Sequence, residues 1–217
     1  MNGVLVTGST GFIGRNLLKK LKKYHKTIYS PDRNECNFLS RKETETYFQK
    51  YTPEYVIHLA GDAGGISYLK SNPALVFNNN IQITSNLFEA CHSSKVKKVV
   101  ILNSINIYPQ FTNSPFNEKD LFNGDPNELI ESYGLSKKNS LYYSKFYYKQ
   151  FGLKSINLIC DNVYGPHDNF EKKKSRVIPA NIVRVDSALE SNDAYIDCWG
   201  TGRSKRSFIY VGDVCEA

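Results

Sequence analysis

Apolar residues in this chain fall into two alternating patterns: short unbroken runs, and longer stretches with apolar positions three or four apart. The short runs are Gly3-Val4-Leu5-Val6-Thr7, Thr27-Ile28-Tyr29-Ser30, Tyr55-Val56-Ile57-His58-Leu59-Ala60, Lys98 to Ser104 and Ser155 to Cys160. Such runs predict strands of a parallel sheet covered on both faces. Between them, Arg15 to Lys23 carries Leu17, Leu18 and Leu21 on one helical face. Arg41 to Lys50 reads as a second helix. Pro73 to Ser93 reads as a long one packed through Ile81, Leu87, Phe88 and Cys91, and Tyr133 to Tyr148 as a further one. From Ile105 to Glu131 the pattern is that of loops. Strand and helix alternate from residue 3 to residue 160, so the predicted fold class is α/β, a doubly wound parallel sheet of the Rossmann type.

The first strand-to-helix junction carries candidate chemistry. Gly8, Gly11 and Gly14 stand in Val-Thr-Gly-Ser-Thr-Gly-Phe-Ile-Gly-Arg, a G-x-x-G-x-x-G spacing. Glycines there permit the turn, let the backbone approach a diphosphate, and let the helix pack close to the strand. A dinucleotide site is the expectation, with Thr10, Phe12 and Ile13 in the loop itself. At the end of the second strand Asp32 suits the 2′-hydroxyl of NAD, whereas Arg33 suits the 2′-phosphate of NADP; the two signals conflict. Asn37 and Leu39 sit where an adenine would pack. Leu59, Ala60 and Gly61 end a strand at the edge where ligands bind in open sheets, while His58 reads as a satisfied strand residue.

Composition narrows the classes. The chain has 217 residues, 41% hydrophobic and 23% charged, which fits a globular protein with a real core. No apolar run approaches the ~20 residues of a membrane span, and the sequence enters a strand directly, without a visible secretory signal. Five scattered cysteines (Cys36, Cys91, Cys160, Cys198, Cys215) lack metal-ligand spacing and suit reduced thiols in a cytoplasmic protein, so no metal is expected. The net charge of +7 gathers in Lys19-Lys20, Lys22-Lys23 and Lys172-Lys173-Lys174. The first two runs read as solvated faces, and the third as an attractor for an anionic substrate. Nothing beyond charge points to nucleic acid.

Tyr133-x-x-x-Lys137 lies on a predicted helix, so the two side chains share a face. An ammonium beside a phenol favours phenolate. Ser104 ends a strand at the ligand edge of the sheet. A hydroxyl, an activated tyrosine and a lysine, with a dinucleotide loop, form a set for reversible hydride transfer at a carbonyl.

The glycine loop, Ser104 and Tyr133-x-x-x-Lys137 resemble the extended short-chain dehydrogenase/reductase family, of NAD-dependent epimerase/dehydratase type. Gly64-Gly65-Ile66, Ser104-x-x-Ile107-Tyr108-Pro109, Asn162 to Phe170, Val177 to Ala180, Trp199-Gly200-x-Gly202 and Arg206 to Asp213 are similar to the GDP-L-fucose synthase group within it. The resemblance implies a GDP-linked nucleotide sugar, with NADP(H) preferred and NAD(H) as the alternative. It implies that Gly8 to Gly14 hold the pyrophosphate, with Asn103 and Val163 also lining the cofactor site. Tyr133 would protonate the C4 carbonyl oxygen, Lys137 tune it and bind the nicotinamide ribose, and Ser104 hydrogen-bond the same oxygen. Asn162 and Val163 would line the cleft, Trp199 and Arg206 bind the substrate diphosphate, and Ser175, Arg176 and Val177 touch the substrate. His167 would be an acid/base group for epimerisation.

One departure bears on the reaction. The group places a proton-shuttling cysteine two residues after the serine, and here that position is Asn106, whose carboxamide has no accessible pKa. Reduction of a 4-keto-6-deoxy sugar with 3,5-epimerisation lost or weakened is therefore expected. The alternatives are an NAD-dependent 4-epimerase or dehydratase and, in another class, a non-catalytic dinucleotide-binding protein. Relatives run further than Ala217, so a truncated chain is expected. Its predicted parts are a dinucleotide-binding domain over 1–165 and a partial substrate domain over 166–217, the chain returning to the sheet near 206–213. The aromatic surplus of Leu141, Tyr142, Tyr143, Phe146, Tyr147 and Tyr148 predicts a homodimer.

Overall fold

A computed structural model describes residues 3–171, 174–198, 200–203 and 205–217. Five parallel strands form one sheet in the order β2-β1-β3-β4-β5: β1 Val4–Thr7, β2 Ile28–Tyr29, β3 Tyr55–His58, β4 Lys98–Ser104 and β5 Lys154–Cys160. All pairings are parallel, with Val4 opposite both Ile28 and Tyr55, and Ser104 opposite Cys160. The connecting helices are α1 Phe12–Leu21, α2 Arg41–Tyr51, α3 Ile66–Ser71, α4 Pro73–Ser93 and α5 Glu131–Phe151. The bounds follow local signals. The Ser40 side chain caps α2 by accepting from the Glu43 N–H, Pro73 opens α4, and Gly152 closes α5 in the left-handed conformation.

The main core lies on one face of the sheet. Leu5, Val56, Val99 and Ile101 from the strands meet Phe48 of α2, Ile83, Leu87, Phe88 and Cys91 of α4, and Tyr143 and Tyr147 of α5. On α4 the fully packed position is Ile83, whereas Ile81 is only half-buried. His58 is buried within β3, as its place in an apolar strand requires.

The opposite face departs from the expectation of a sheet covered on both sides. There α1 and a short C-terminal helix, α7 Val211–Glu216, leave a cleft of about 340 Å³ lined by Ile57, Val100, Leu102, Leu158, Leu17 and Val214, among others. Ile156 of β5 is 43% exposed. An apolar strand residue signals that a face is made for burial, not that the described chain supplies the cover.

Beyond β5 the chain forms β6 Asn162–Tyr164, α6 Val177–Ser191, β7 Phe208–Tyr210 and α7. Near 206–213 the chain does not join the five strands: β7 pairs in parallel with β6 in a separate two-stranded sheet. Val163, Val211 and Val214 pack there against Phe12, Ile13 and Leu102. A Lys20–Glu216 ion pair further ties α7 to α1.

Candidate active site

The glycine loop follows from close backbone contacts. Gly8 has φ +67°, a conformation that suits a residue without Cβ. A Cβ at Gly14 would lie 2.3 Å from the Gly8 carbonyl oxygen, so α1 can pack this near to β1 only with glycine there. Gly11 caps α1 without a side-chain hydrogen bond, and the first turn holds no acidic residue. The N–H groups of Phe12, Ile13 and Gly14 therefore form an open positive helix end, which fits a diphosphate.

The floor beside this loop is set by Thr7. Its hydroxyl accepts from the N–H groups of Leu59 (3.2 Å) and Ala60 (3.1 Å) and lies 2.8 Å from His58 Nδ1. With both lone pairs taken, the hydroxyl donates its proton to Nδ1. His58 is thus a neutral acceptor, and burial pulls its pKa down to about 3. It orients the Thr7 hydroxyl that holds Leu59 and Ala60 in place.

At the adenosine end, Asp32 Oδ1 accepts from the N–H groups of Asn34 (2.8 Å) and Glu35 (2.9 Å), so this oxygen is turned into its own loop. Arg33 is exposed, and its charge acts on the phenol of Tyr68. Asn37 Oδ1 accepts from the Leu39 N–H, and Leu39 leans on the core.

Ser104, at the C-terminal end of β4, meets Tyr133 of α5, and Lys137 stands one turn along that helix. The Ser104 hydroxyl lies within bonding reach of the Tyr133 phenol, and it accepts from the Asn106 N–H at 3.3 Å. Burial pushes the Tyr133 phenol up, while the charge of Arg176 and the Ser104 bond pull it back. Burial brings the Lys137 ammonium down to about 8. The phenol is thus a protonated donor at neutral pH, and Lys137, one turn along α5, still carries its charge there.

Two buried amides that the sequence did not single out, or placed elsewhere, hold this group. Asn80 of α4, 3% exposed, accepts from the Asp62 N–H (2.7 Å), and its Nδ2 donates to the Asp62 carbonyl (2.9 Å) and the Ser136 hydroxyl (3.3 Å). Ser136 in turn donates to the Tyr133 carbonyl at 2.8 Å. The loop after β3 and the tyrosine are therefore fixed to one side chain. Asn103 corrects an expectation: its amide points into the protein, donating to Asn157 (2.9 Å) and Ser140 (3.0 Å), so its side chain locks β4, β5 and α5 rather than facing a cofactor.

Other predicted residues part company. His167 does not join Ser104, Tyr133 and Lys137. Pro166 is held to α1 by Asn16 (2.8 Å), His167 takes φ 69°, and its exposed Nε2 accepts from Lys19 at 2.9 Å. Arg206 is exposed, with Nη1 on the neighbouring Lys205 carbonyl. The Asn162 side chain bridges Asp161 and the Ser207 carbonyl (3.0 Å each), tying β6 to the approach to β7. Val163 is buried in the cluster against Phe12. Asn106 sits with its backbone carbonyl against Gly134, next to Tyr133. Ser175 and Arg176 are half-buried and Val177 is exposed, at the start of α6. Trp199, Lys172 and Lys173 lie outside the described residues.

Comparison with known proteins places this arrangement. The chain is similar to a GDP-L-fucose synthase of Dictyostelium discoideum, 33% identical over 217 residues, covering 98% of this chain and 67% of that protein. It is similar to a GDP-L-colitose synthase of Yersinia pseudotuberculosis, 30% identical over 98% of this chain and 70% of that protein. Among solved structures, a GDP-mannoheptose C4 reductase from Campylobacter jejuni with NADP bound superposes with a TM-score of 0.88 at 25% identity, over 99% of this chain and 71% of that one. The family model described as the NAD dependent epimerase/dehydratase family matches residues 4–217. With its parallel sheet, its glycine loop and that match, the chain belongs to the NAD-dependent epimerase/dehydratase family.

Proposed function

We propose that this chain carries the catalytic part of a nucleotide-sugar oxidoreductase, which reduces the C4 ketone of a GDP-4-keto-6-deoxy sugar without inverting C3 or C5. The observation that carries this reading is the approach of the Tyr133 phenol to the Ser104 hydroxyl at the sheet edge served by the glycine loop. The GDP-sugar enzymes it is similar to support the substrate class.

A reduced nicotinamide, when bound, supplies the hydride. Tyr133 gives the proton to the carbonyl oxygen, and Ser104 donates a hydrogen bond to the same oxygen, stabilising the charge that develops there. Lys137 holds the phenolate left behind and binds the ribose. The open end of α1 holds the pyrophosphate, with Leu59, Ala60 and Gly61 as the wall of the cleft. One Asp32 oxygen is turned into its own loop while Arg33 is exposed, which supports NADP(H) over NAD(H). Asn106, Ser175, Arg176 and Val177 border the sugar site. We extend the proposal to a homodimer, on the strength of the exposed aromatic face of α5, and to the cytoplasm, where its free cysteines stay reduced.

Loss of epimerisation rests on two side chains. Asn106 carries no titratable proton, and His167 is engaged by Lys19 on α1. The test is NADPH oxidation with GDP-4-keto-6-deoxy-mannose in deuterated water, followed by analysis of the sugar. Turnover with no deuterium at C3 or C5 is expected. Deuterium at either carbon would overturn the loss of epimerisation, and a folded, cofactor-binding sample that oxidises no NADPH would overturn the reductase reading.

A further inference from the structure

We propose that Asn103 and Ser140 are positioning residues: with Asn157 they form a buried polar clasp that fixes the register of α5 along β4, and so the place of Lys137 relative to Ser104. The roles of Lys137 and Ser104 are those of the reductase reading, on which this proposal rests.

The clasp joins three elements beside the catalytic positions. Asn103 precedes Ser104 on β4, and Ser140 lies three residues after Lys137 on α5. Both are buried, at 3% and 2% exposed. Asn103 Nδ2 donates to Asn157 Oδ1 of β5 at 2.9 Å and to Ser140 Oγ at 3.0 Å. The Ser140 hydroxyl has one proton, and its shortest contact is with the Lys137 carbonyl at 2.8 Å; Asn103 Oδ1 and Asn157 Oδ1 each lie 3.2 Å away. Asn157 Nδ2 donates in turn to Ser144 Oγ at 2.8 Å, one further turn along α5. In the register of β4 and β5, Asn157 stands opposite Ile101 and Asn103 opposite Ile159, so the two amides meet diagonally on one face of the sheet. One turn earlier on α5 the arrangement repeats: Ser136 donates to the Tyr133 carbonyl at 2.8 Å and accepts from Asn80 at 3.3 Å. Tyr133 and Lys137 thus each have their carbonyl held by a serine three residues on, and each serine is held by an asparagine from another element.

Further along, α5 packs through Tyr143 and Tyr147 on Phe88. Apolar burial of this kind is non-directional, so by itself it leaves the helix room to slide. A hydrogen bond weakens steeply as it bends, and a buried amide left without a partner is costly. Only a register that satisfies both amides and the hydroxyl together is therefore favoured. Buried polar groups stabilise little beyond what apolar packing would, and setting a register is the use that accounts for them here. Catalytic groups have to be held within about 0.5 Å of their working geometry. A slide of α5 would carry the Lys137 backbone with it while Ser104 stayed on β4, and the clasp ties those two points together.

The test compares Ser140→Thr with Ser140→Val, which share the added methyl and differ in the hydroxyl. NADPH binding is read by fluorescence titration at a temperature where both variants are fully folded, so it needs no sugar. Ser140→Val is expected to bind NADPH about 5-fold more weakly than Ser140→Thr, because Lys137 is no longer held where it meets the ribose. With a GDP-4-keto-6-deoxy sugar its kcat should be lower by about 10-fold, with KM for the sugar within about 2-fold. A purely structural role would lower the unfolding midpoint of Ser140→Val and leave the two affinities equal, and equal affinities would overturn the proposal. Where the added methyl prevents folding, Ser140→Ala against the unaltered protein gives the same contrast and is read the same way. Affinities split as expected in a protein that reduces no sugar would count against the sugar reading and leave the clasp standing.

Discussion

At the scale of single residues, burial sorts the titratable groups into those that hold and those that act. His58 is neutral because Thr7 donates to it and no water reaches it. Lys137 sits nearer neutrality, brought down to about 8 by burial. Below that pH it carries the charge on which its proposed role toward Tyr133 depends, and above it the charge is lost. The rate of NADPH-dependent reduction is therefore expected to fall as pH rises through about 8, while Tyr133, raised by burial, stays protonated. A pH profile of kcat/KM checks this; Lys137→Gln should abolish that limb and lower the rate by at least about 100-fold. A basic limb that persists in Lys137→Gln would assign it to another group. The same burial costs stability below that pH, and the cost is relieved as pH rises through it, since the unfolded chain then binds the extra proton. The sequence pointed to His167 and Arg206 through motif resemblance, but a motif fixes the order of residues and not the direction a loop turns them. Pro166 is tied to Asn16, and that tie sends His167 to Lys19.

At the scale of elements, the helices and strands came through clearly because each carries its own period and caps. Pro73–Ser93 has the same bounds in sequence and structure, since Pro73 opens it and the apolar spacing runs its full length. The helix at Val177–Ser191 was missed: Arg176 is a poor N-cap, and Val177, Ile182, Val185 and Leu189 remain exposed, so no clean amphipathic face marks it. The glycine loop was legible as a spacing, but its tightness was not. With a Cβ 2.3 Å from the Gly8 oxygen, Gly14→Ala must push α1 off β1. We expect a loss on the order of 1–3 kcal/mol in denaturant unfolding, with weaker cofactor binding alongside. Unchanged stability would mean that α1 can shift without cost. The Asn80–Asp62–Ser136 bridge had no signal in the sequence, because an asparagine on a helix is ordinary until its partners from two other elements are known.

For the whole molecule, two apolar surfaces stand out. One is the cleft on the thinly covered sheet face, and the other is the outer side of α5, where Tyr142 is 40%, Phe146 54% and Tyr148 61% exposed. Tyr143 and Tyr147 of the same helix stack against Phe88, so the aromatic surplus divides between core and surface. If the outer half joins two copies, sedimentation at micromolar concentration should show a dimer, and Phe146→Glu should dissociate it. A monomeric unaltered protein would dismiss that interface.

What the sequence determined by itself is the alternation of strand and helix, the glycine spacing at the first junction, and Tyr133 and Lys137 one turn apart on a helix. Each is written in local periodicity or in residues one turn apart, and local geometry follows from local bonds. The tertiary structure alone decided which distant groups meet. It turned Asn103 inward, sent His167 to α1, paired β7 with β6, and set Arg176 on Asp168 over Phe12. Those contacts depend on how loops close over a packed sheet, where burial and the satisfaction of polar groups choose among many partners that one-dimensional spacing leaves equivalent.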